Sequence, residues 1–255
     1  MPRTAFWRRL VQAAILTGMV ATAPAHAEFG DYGEGGWGIS SSTLQDMIQA
    51  DMMNRSLRAV QDAAGISGPS KSKSKPSPPR SPLDVRTALN AGGRYFTRDA
   101  GVVKLAALFP RDQFVRRKSA LETGIIALGK DAQQRYGVPN LNLATSRVAL
   151  IAGAYTAYSG QLFPDAYVKP LFDQVAAKMA NDPEVGAATP AKKSYDYQIG
   201  MGTALLLVGA NIELQQAPDP THRAQLRQIG ANTLQSIFGV DASRVRFTTR
   251  GYVIQ

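Results

Sequence analysis

Apolar residues recur at steps of three and four through most of the chain after residue 110, which is the spacing of one face of a helix. The stretch that closes at residue 136 is followed by Gly137 and Pro139, which end helices. The predicted helices cover residues 112–136, 142–159, 166–180 and 192–214. The last of these stretches is apolar nearly all round, so we predict that it forms the central, most buried helix.

The C-terminal part of the chain holds one more helix and then changes pattern. Asp219 followed by Pro220 predicts a helix start, because Asp caps a helix N-terminus and Pro suits the first helical position. This helix is expected to end at Gly239. Residues 244–254 are β-branched and aromatic, which predicts an extended segment laid against the helices. Residues 94–97 have a similar composition and are a candidate partner strand.

Small residues give one of the predicted helices a face that a neighbour can approach. Ala149, Gly153 and Ala157 share a face of the helix over residues 142–159, and short side chains allow two helix backbones to lie close together. The fold class predicted from these patterns is mainly α. We expect residues 83–255 to form a single bundle of five or six helices with a short extended C-terminal segment.

The start of the chain has the layout of an export signal. Three arginines are followed by an apolar run over residues 10–23 and the tripeptide Ala25-His26-Ala27. This order predicts a bacterial Sec-type signal peptide, residues 1–27, cleaved after Ala27. The apolar run is too short and interrupted for a spanning helix, which needs about 20 apolar residues. We therefore expect a periplasmic or secreted protein, with an uncleaved anchor as the alternative.

Two segments of opposite charge precede the predicted bundle. Residues 28–68 hold six acidic and two basic residues, a net charge of −4, and form a flexible segment with one predicted helix over residues 43–64. Residues 69–82 are a linker rich in Pro, Ser and Lys with a net charge of +4. The bundle carries a net charge of +7, so the acidic segment either folds back on it or stays free.

Composition excludes most metal and nucleophile chemistry. The chain has no Cys, and once the signal peptide is removed His222 is its only histidine, so a zinc site of the Cys/His type cannot form. His222 lies in the first turn of a predicted helix and is interpreted as a solvated polar residue. The near match to a phosphate-binding loop over residues 124–131 ends in Asp instead of Ser or Thr and lies inside a helical period. We expect no cofactor, no metal and no catalytic residue.

Basic residues provide the candidate binding site. Arg116, Arg117 and Lys118 form the densest basic cluster of the predicted bundle, and such a face can bind phosphate groups of lipopolysaccharide or anionic lipid. Further basic residues that can extend this face are Lys192, Lys193, Arg244, Arg246 and Arg250. The expected partner is an anionic component of the envelope or another envelope protein. Nucleic acid is not expected, because no recognition motif is present and the chain carries an export signal.

Several short motifs point to a family. They are the segment MMNRSL over residues 52–57, Phe109-Pro110 before an Arg-rich helix start, Tyr136-Gly137 at a helix end and TTRGY over residues 248–252. With the signal peptide and the linker, this layout resembles an uncharacterised family of exported bacterial proteins, a domain of unknown function. The resemblance implies one helical exported domain and brings no activity, cofactor or catalytic residue with it.

Three functions are compatible with these observations. The leading interpretation is an exported, non-enzymatic binding or accessory protein of the bacterial cell envelope. The first alternative is a carboxylate-dependent envelope hydrolase or lyase, since such enzymes need only one or two placed acids. Glu122 is its first candidate acid, and the other available acids are Asp165, Asp173, Asp196 and Glu213. The second alternative is a protein held at a membrane surface by the basic linker, residues 69–82.

Overall fold

The computed structural model describes residues 81–85 and 99–255. The predictions for the signal peptide, the helix over residues 43–64, most of the linker and the segment 94–97 lie outside these described residues. The described elements are α1 (Ala100–Ala106), α2 (Phe114–Tyr136), α3 (Leu143–Ser159), α4 (Val168–Ala180), α5 (Pro183–Ala187), α6 (Pro190–Gln216), α7 (Pro220–Phe238), β1 (Val245–Thr248) and β2 (Gly251–Ile254).

The mainly α fold class is confirmed. Five predicted helices are present as α2, α3, α4, α6 and α7, each within two residues of its predicted start and end. The helices α1 and α5 were not predicted, because they have only seven and five residues and show no full helical period. The described part of the chain therefore holds seven α-helices and one hairpin.

The helix ends follow the predicted capping residues. The side chain of Asn142 accepts a hydrogen bond from the backbone N–H of Ala144 at 2.9 Å, and that of Asp219 accepts one from the backbone N–H of His222 at 3.0 Å. These bonds satisfy N–H groups that the first turn of a helix leaves unpaired. Helix α7 ends at Gly239, whose φ of 73° is in the left-handed region that glycine tolerates.

Helices α3 and α6 form the central pair of the bundle. A Cβ atom added at Gly153 in α3 would lie 2.8 Å from the Cα of Ala204 in α6, so the two backbones nearly touch. The predicted small-residue face of α3 is thereby confirmed as a helix contact. Helix α6 is buried over most of its middle part, as its apolar pattern predicts, with Met201 and Leu207 fully buried. Helices α1 and α2 pack on α6, while α4 and α7 pack on α3.

The C-terminal segment folds back on itself as an antiparallel hairpin of β1 and β2. The buried ring of Phe247 in β1 makes edge contacts with Tyr155 and Phe163, and these contacts anchor the hairpin to the bundle. The side-chain amide of Gln174 in α4 accepts a hydrogen bond from the N–H of Tyr252 at 2.7 Å and donates one to its carbonyl at 3.1 Å. The side chain of Gln174 thus forms hydrogen bonds with the backbone edge of β2, as a neighbouring strand would.

A short extended segment connects the end of the linker to the bundle. Asp84 pairs with Asn142 in an isolated antiparallel bridge, and Leu83 and Val85 are buried. The Nζ atom of Lys193 in α6 donates a hydrogen bond to the carbonyl of Pro82 at 2.6 Å. The C-terminal end of the linker is therefore held at the N-terminal end of the central helix.

The close approach of α3 and α6 predicts that Gly153 tolerates no side chain. We expect Gly153→Ala to lower the free energy of unfolding by about 1–3 kcal/mol, because the added methyl group must push the α6 backbone away. Urea denaturation measures the change. Gly186→Ala is the matched control, since nothing lies within 4 Å of a Cβ at that position. Equal stability of the Gly153 variant and the wild type would show that the helices do not touch there.

The amide of Gln174 is predicted to hold the outer edge of the hairpin. Gln174→Ala removes both hydrogen bonds to Tyr252, at a loss of about 1–2 kcal/mol of local stability. Hydrogen exchange of the Tyr252 amide is expected to become faster, while amides in the middle of α6 keep their rate. Gln235→Ala, at an exposed position of α7, serves as the control. Unchanged exchange at Tyr252 would contradict this account of the edge.

Candidate functional site

A groove of about 400 Å³ opens beside the hairpin, and we call it the hairpin groove. Five elements contribute to it: α3, α4, α5, the end of α7 and β2. Its apolar floor consists of Ile151, Val175, Met179, Ile237 and Phe238. Its rim carries the polar and charged side chains of Arg147, Lys178, Asp182, Glu184, Ser236 and Tyr252.

The hairpin contributes an aromatic residue to this groove. The Gln174 amide holds the backbone of Tyr252, whose ring packs against Phe238 with the two centroids 4.6 Å apart. The turn from α4 into α5 also lines the groove, and there Asp182 accepts a hydrogen bond from the N–H of Glu184 at 2.9 Å. Aromatic rings and a short capped helix thus both belong to the lining.

The lining of the hairpin groove suits binding better than acid–base chemistry. Its volume is in the range of small-ligand sites, and its apolar floor with a few charged groups above it is their usual composition. Two cationic and two anionic side chains balance each other at the rim. Of the two acids at the rim, Asp182 caps helix α5 through its carboxylate. Among the described lining residues, Asp182 is therefore the one carboxylate that could act with Glu184 in acid–base catalysis, and it is engaged as a cap.

The helix that carries the predicted basic cluster points its three side chains in different directions. Successive residues of a helix point about 100° apart, so Arg116, Arg117 and Lys118 face three directions. Arg116 is exposed, whereas the guanidinium of Arg117 lies over the ring of Phe109, 4.5 Å from its centroid. Partial burial and the neighbouring Arg116 lower the pKa of Arg117. Lys118 forms an ion pair with Asp99 at 2.7 Å.

A different set of basic residues comes together at the N-terminal end of α6. The Nζ atoms of Lys104 and Lys192 lie 6.0 and 5.7 Å from the centroid of the same ring, that of Tyr195. Lys193 is adjacent in sequence and binds the carbonyl of Pro82. We call Lys104, Lys192 and Lys193 the α6 lysine cluster. Lys192 and Lys193 were expected as possible extensions of the basic face around residues 116–118. Lys104 was not expected there, because it is 88 residues away from Lys192 along the chain.

The candidate acids are spread over the bundle. Glu122 is half-buried in α2, and within the described residues no hydrogen bond or ion pair joins it to a second carboxylate. Asp173 pairs with Lys169 at 2.5 Å, Asp196 pairs with Lys192, and Asp165 accepts a hydrogen bond from Tyr136 at 2.7 Å. The two Lys–Asp pairs are of the kind that stabilises helix surfaces, whereas the Tyr136–Asp165 bond joins α2 to the turn before α4. Burial raises the pKa of Glu213, the remaining candidate acid, although the charge of Arg117 opposes it.

One carboxylate that the sequence analysis missed is Asp131 in α2. Its Oδ1 accepts a hydrogen bond from Arg135 at 3.0 Å, but its Oδ2 is buried with no hydrogen-bond partner. Burial raises the pKa of Asp131, and the nearby charge of Asp165 raises it further, although Arg135 opposes both effects. Burial also raises the pKa of Tyr136 strongly. The sequence does not predict the burial of Asp131 near Asp165, because this burial depends on the contact of α2 with the turn before α4.

His222 is placed at the start of α7, as predicted, and contacts its own cap. Its Nδ1 atom lies 2.7 Å from Oδ2 of Asp219. Hydrogen bonds from the backbone and the ring of His222 lower the pKa of Asp219. Within residues 81–85 and 99–255, no group of three or more His, Asp or Glu side chains is placed to hold a metal ion. No helix in this part of the chain combines the length and the apolar character that crossing a membrane requires.

Comparison with known proteins gives one match. No curated protein and no solved structure matches the chain. The sequence model of a family of unknown function, DUF6683, matches residues 7–255, which is nearly the whole chain. This match confirms the resemblance to a family of unknown function that the short motifs indicated. The chain belongs to the family of unknown function DUF6683.

Proposed function

We propose that this chain is an exported, non-enzymatic binding or accessory protein of the bacterial cell envelope, and that the hairpin groove is its ligand site. The observation that carries this proposal is the lining of the groove, which combines five apolar residues with two cationic and two anionic side chains. A ligand with an apolar body and a charged end matches both parts. The signal-peptide pattern of residues 1–27 supports a site of action outside the cytoplasm.

The position of the groove supports binding by a largely preformed site. Ile151, in its floor, is fully buried and belongs to α3, one of the two central helices. The backbone of Tyr252, in its wall, is held by two hydrogen bonds with the side chain of Gln174. A site whose residues are held before binding loses less conformational entropy when the ligand arrives. Three of the carboxylates that an envelope hydrolase could use, Asp165, Asp173 and Asp196, are each engaged by a different partner.

Export is tested by the N-terminus of the protein recovered from a bacterial host. We expect the periplasmic or secreted form to begin at Glu28, because Ala25 and Ala27 supply the small residues that a signal peptidase requires. Ala27→Leu is expected to leave residues 1–27 attached, whereas Ala21→Leu in the apolar run is expected to be processed normally. Mass spectrometry of the intact chain reads out both results. A wild-type chain that keeps residues 1–27 in the cytoplasm would contradict the export proposal.

Ligand binding by the groove is tested with anilinonaphthalene sulfonate, a probe that has aromatic rings and one negative charge. We expect saturable fluorescence enhancement with the folded protein, residues 28–255. Ser236→Trp places a large ring at the exposed rim of the groove and is expected to weaken probe binding at least tenfold, about 1.4 kcal/mol.

The matched control is Gln235→Trp, which adds the same ring at the neighbouring exposed position of α7 outside the groove lining. Circular dichroism confirms that both variants are folded, since the probe also binds partly unfolded proteins. The groove assignment fails when Ser236→Trp binds the probe as the wild type does, or when both tryptophan variants lose binding equally.

A further inference from the structure

We infer that the α6 lysine cluster is a docking surface for the anionic headgroups of a phospholipid bilayer. This surface is distinct from the hairpin groove, and neither proposal depends on the other. It is built by α1 and α6, whereas the groove is lined by α3, α4, α5, α7 and β2. The inference rests on the arrangement of three lysines, the exposed apolar residues beside them and the point at which the basic linker meets the bundle.

The arrangement of charges is the first argument. Lys104 and Lys192 come from two helices, and both Nζ atoms lie near the ring of Tyr195. Both lysines are half-buried, and the side chain of Lys192 keeps 27% of its surface exposed. Lysines commonly pack their alkyl stems on apolar surface and keep the ammonium end in reach of solvent. Asp196 pairs with Lys192 and reduces the local charge, but the three lysines still leave an excess of two positive charges.

The apolar residues beside the lysines are the second argument. Helix α1 exposes Ala100, Val103 and Ala107 on its outer side, and Val103 has 36% of its surface exposed. Tyr195 is half-buried between the lysines and offers an aromatic ring with a polar end. Lysines, an amphipathic ring and exposed aliphatic residues together match the headgroup region of a bilayer, where phosphate charge and acyl chains are close together. A polyanion without an apolar layer would use only the lysines.

The linker provides the third argument. Lys193 holds the carbonyl of Pro82, so the C-terminal end of the linker is fixed at the lysine cluster. Arg80 is two residues from Pro82, and two residues of extended chain span at most about 7 Å. The linker, whose sequence carries Lys71, Lys73, Lys75 and Arg80, therefore joins the bundle at this cluster. A surface held by several basic groups is retained far more strongly than one held by any single group.

Electrostatics sets the expected size of the effect. A basic residue near an anionic membrane surface increases the binding constant by about fivefold. Removing three lysines, one of which is partly neutralised by Asp196, is therefore expected to weaken binding by about 20-fold to 100-fold. The interaction falls off within the screening length of the solution, about 8 Å at physiological salt, so binding should weaken steeply with ionic strength.

The test is co-sedimentation of residues 28–255 with vesicles of phosphatidylcholine that contain or lack phosphatidylglycerol. We expect the wild type to bind only the vesicles with phosphatidylglycerol and to be released by high salt. The variant Lys104→Gln, Lys192→Gln, Lys193→Gln is expected to lose at least 20-fold in binding. The corresponding triple Lys→Arg variant is expected to keep it, since the charges remain. Thermal unfolding of each variant verifies that the fold is intact.

The matched control changes the same number of charges elsewhere. Lys130, Lys169 and Arg250 are exposed and lie outside both the cluster and the groove, so their triple Gln variant should bind within twofold of the wild type. Equal losses in the two triple Gln variants would show that net charge acts, and would overturn the assignment to the cluster. Failure of the wild type to bind anionic vesicles would overturn the proposed docking surface. The proposal for the hairpin groove would still stand, because probe binding tests it separately.

Discussion

The contact between α3 and α6 at Gly153 and Ala204 determines the arrangement of the rest of the bundle. Because these two backbones nearly touch, α6 is surrounded by protein over most of its length, and the other helices must pack on what remains exposed of the pair. Helices α1 and α2 cover α6, and helices α4 and α7 cover α3. The hairpin groove thus forms on the α3 side, and the α6 lysine cluster forms where α1 packs on the N-terminal end of α6.

Much of the fold could be predicted from sequence because its signals are local. The Asp219-Pro220 start, the small residues around Gly153 and the uninterrupted apolar character of α6 each act within one helix. The short helices α1 and α5 lack such a signal, since fewer than two turns cannot show a period. The hairpin was expected only as an extended segment, because its anchoring by Phe247 and its edge contact with Gln174 depend on residues far away in sequence.

The candidate sites were harder to predict, for a geometric reason. A run such as Arg116-Arg117-Lys118 is conspicuous in sequence, yet the helix turns its members apart, and Phe109 and Asp99 engage two of them. Lys104 and Lys192 are inconspicuous in sequence, yet the packing of α1 on α6 brings them to one ring. The groove has the same character, because five elements each supply one or a few of its lining residues. Both candidate surfaces therefore depend on how the elements pack and not on any single segment.

The stability of this bundle depends on its packed core. A chain without Cys has no disulfide to support it, so its stability depends on the packed core around α3 and α6. The α6 lysine cluster and the rim of the hairpin groove instead consist of exposed and half-buried side chains, such as Ser236 and Lys192, that contribute little to that core. The floor of the groove differs, because Ile151 and Val175 belong to the core. Substitutions at the exposed and half-buried positions are therefore expected to leave the fold intact. Burial strongly limits which residue types fit the core, so the core of this protein could be predicted from its sequence. An exposed residue gains a binding role only through its neighbours in space, so the two candidate surfaces could not be predicted in the same way.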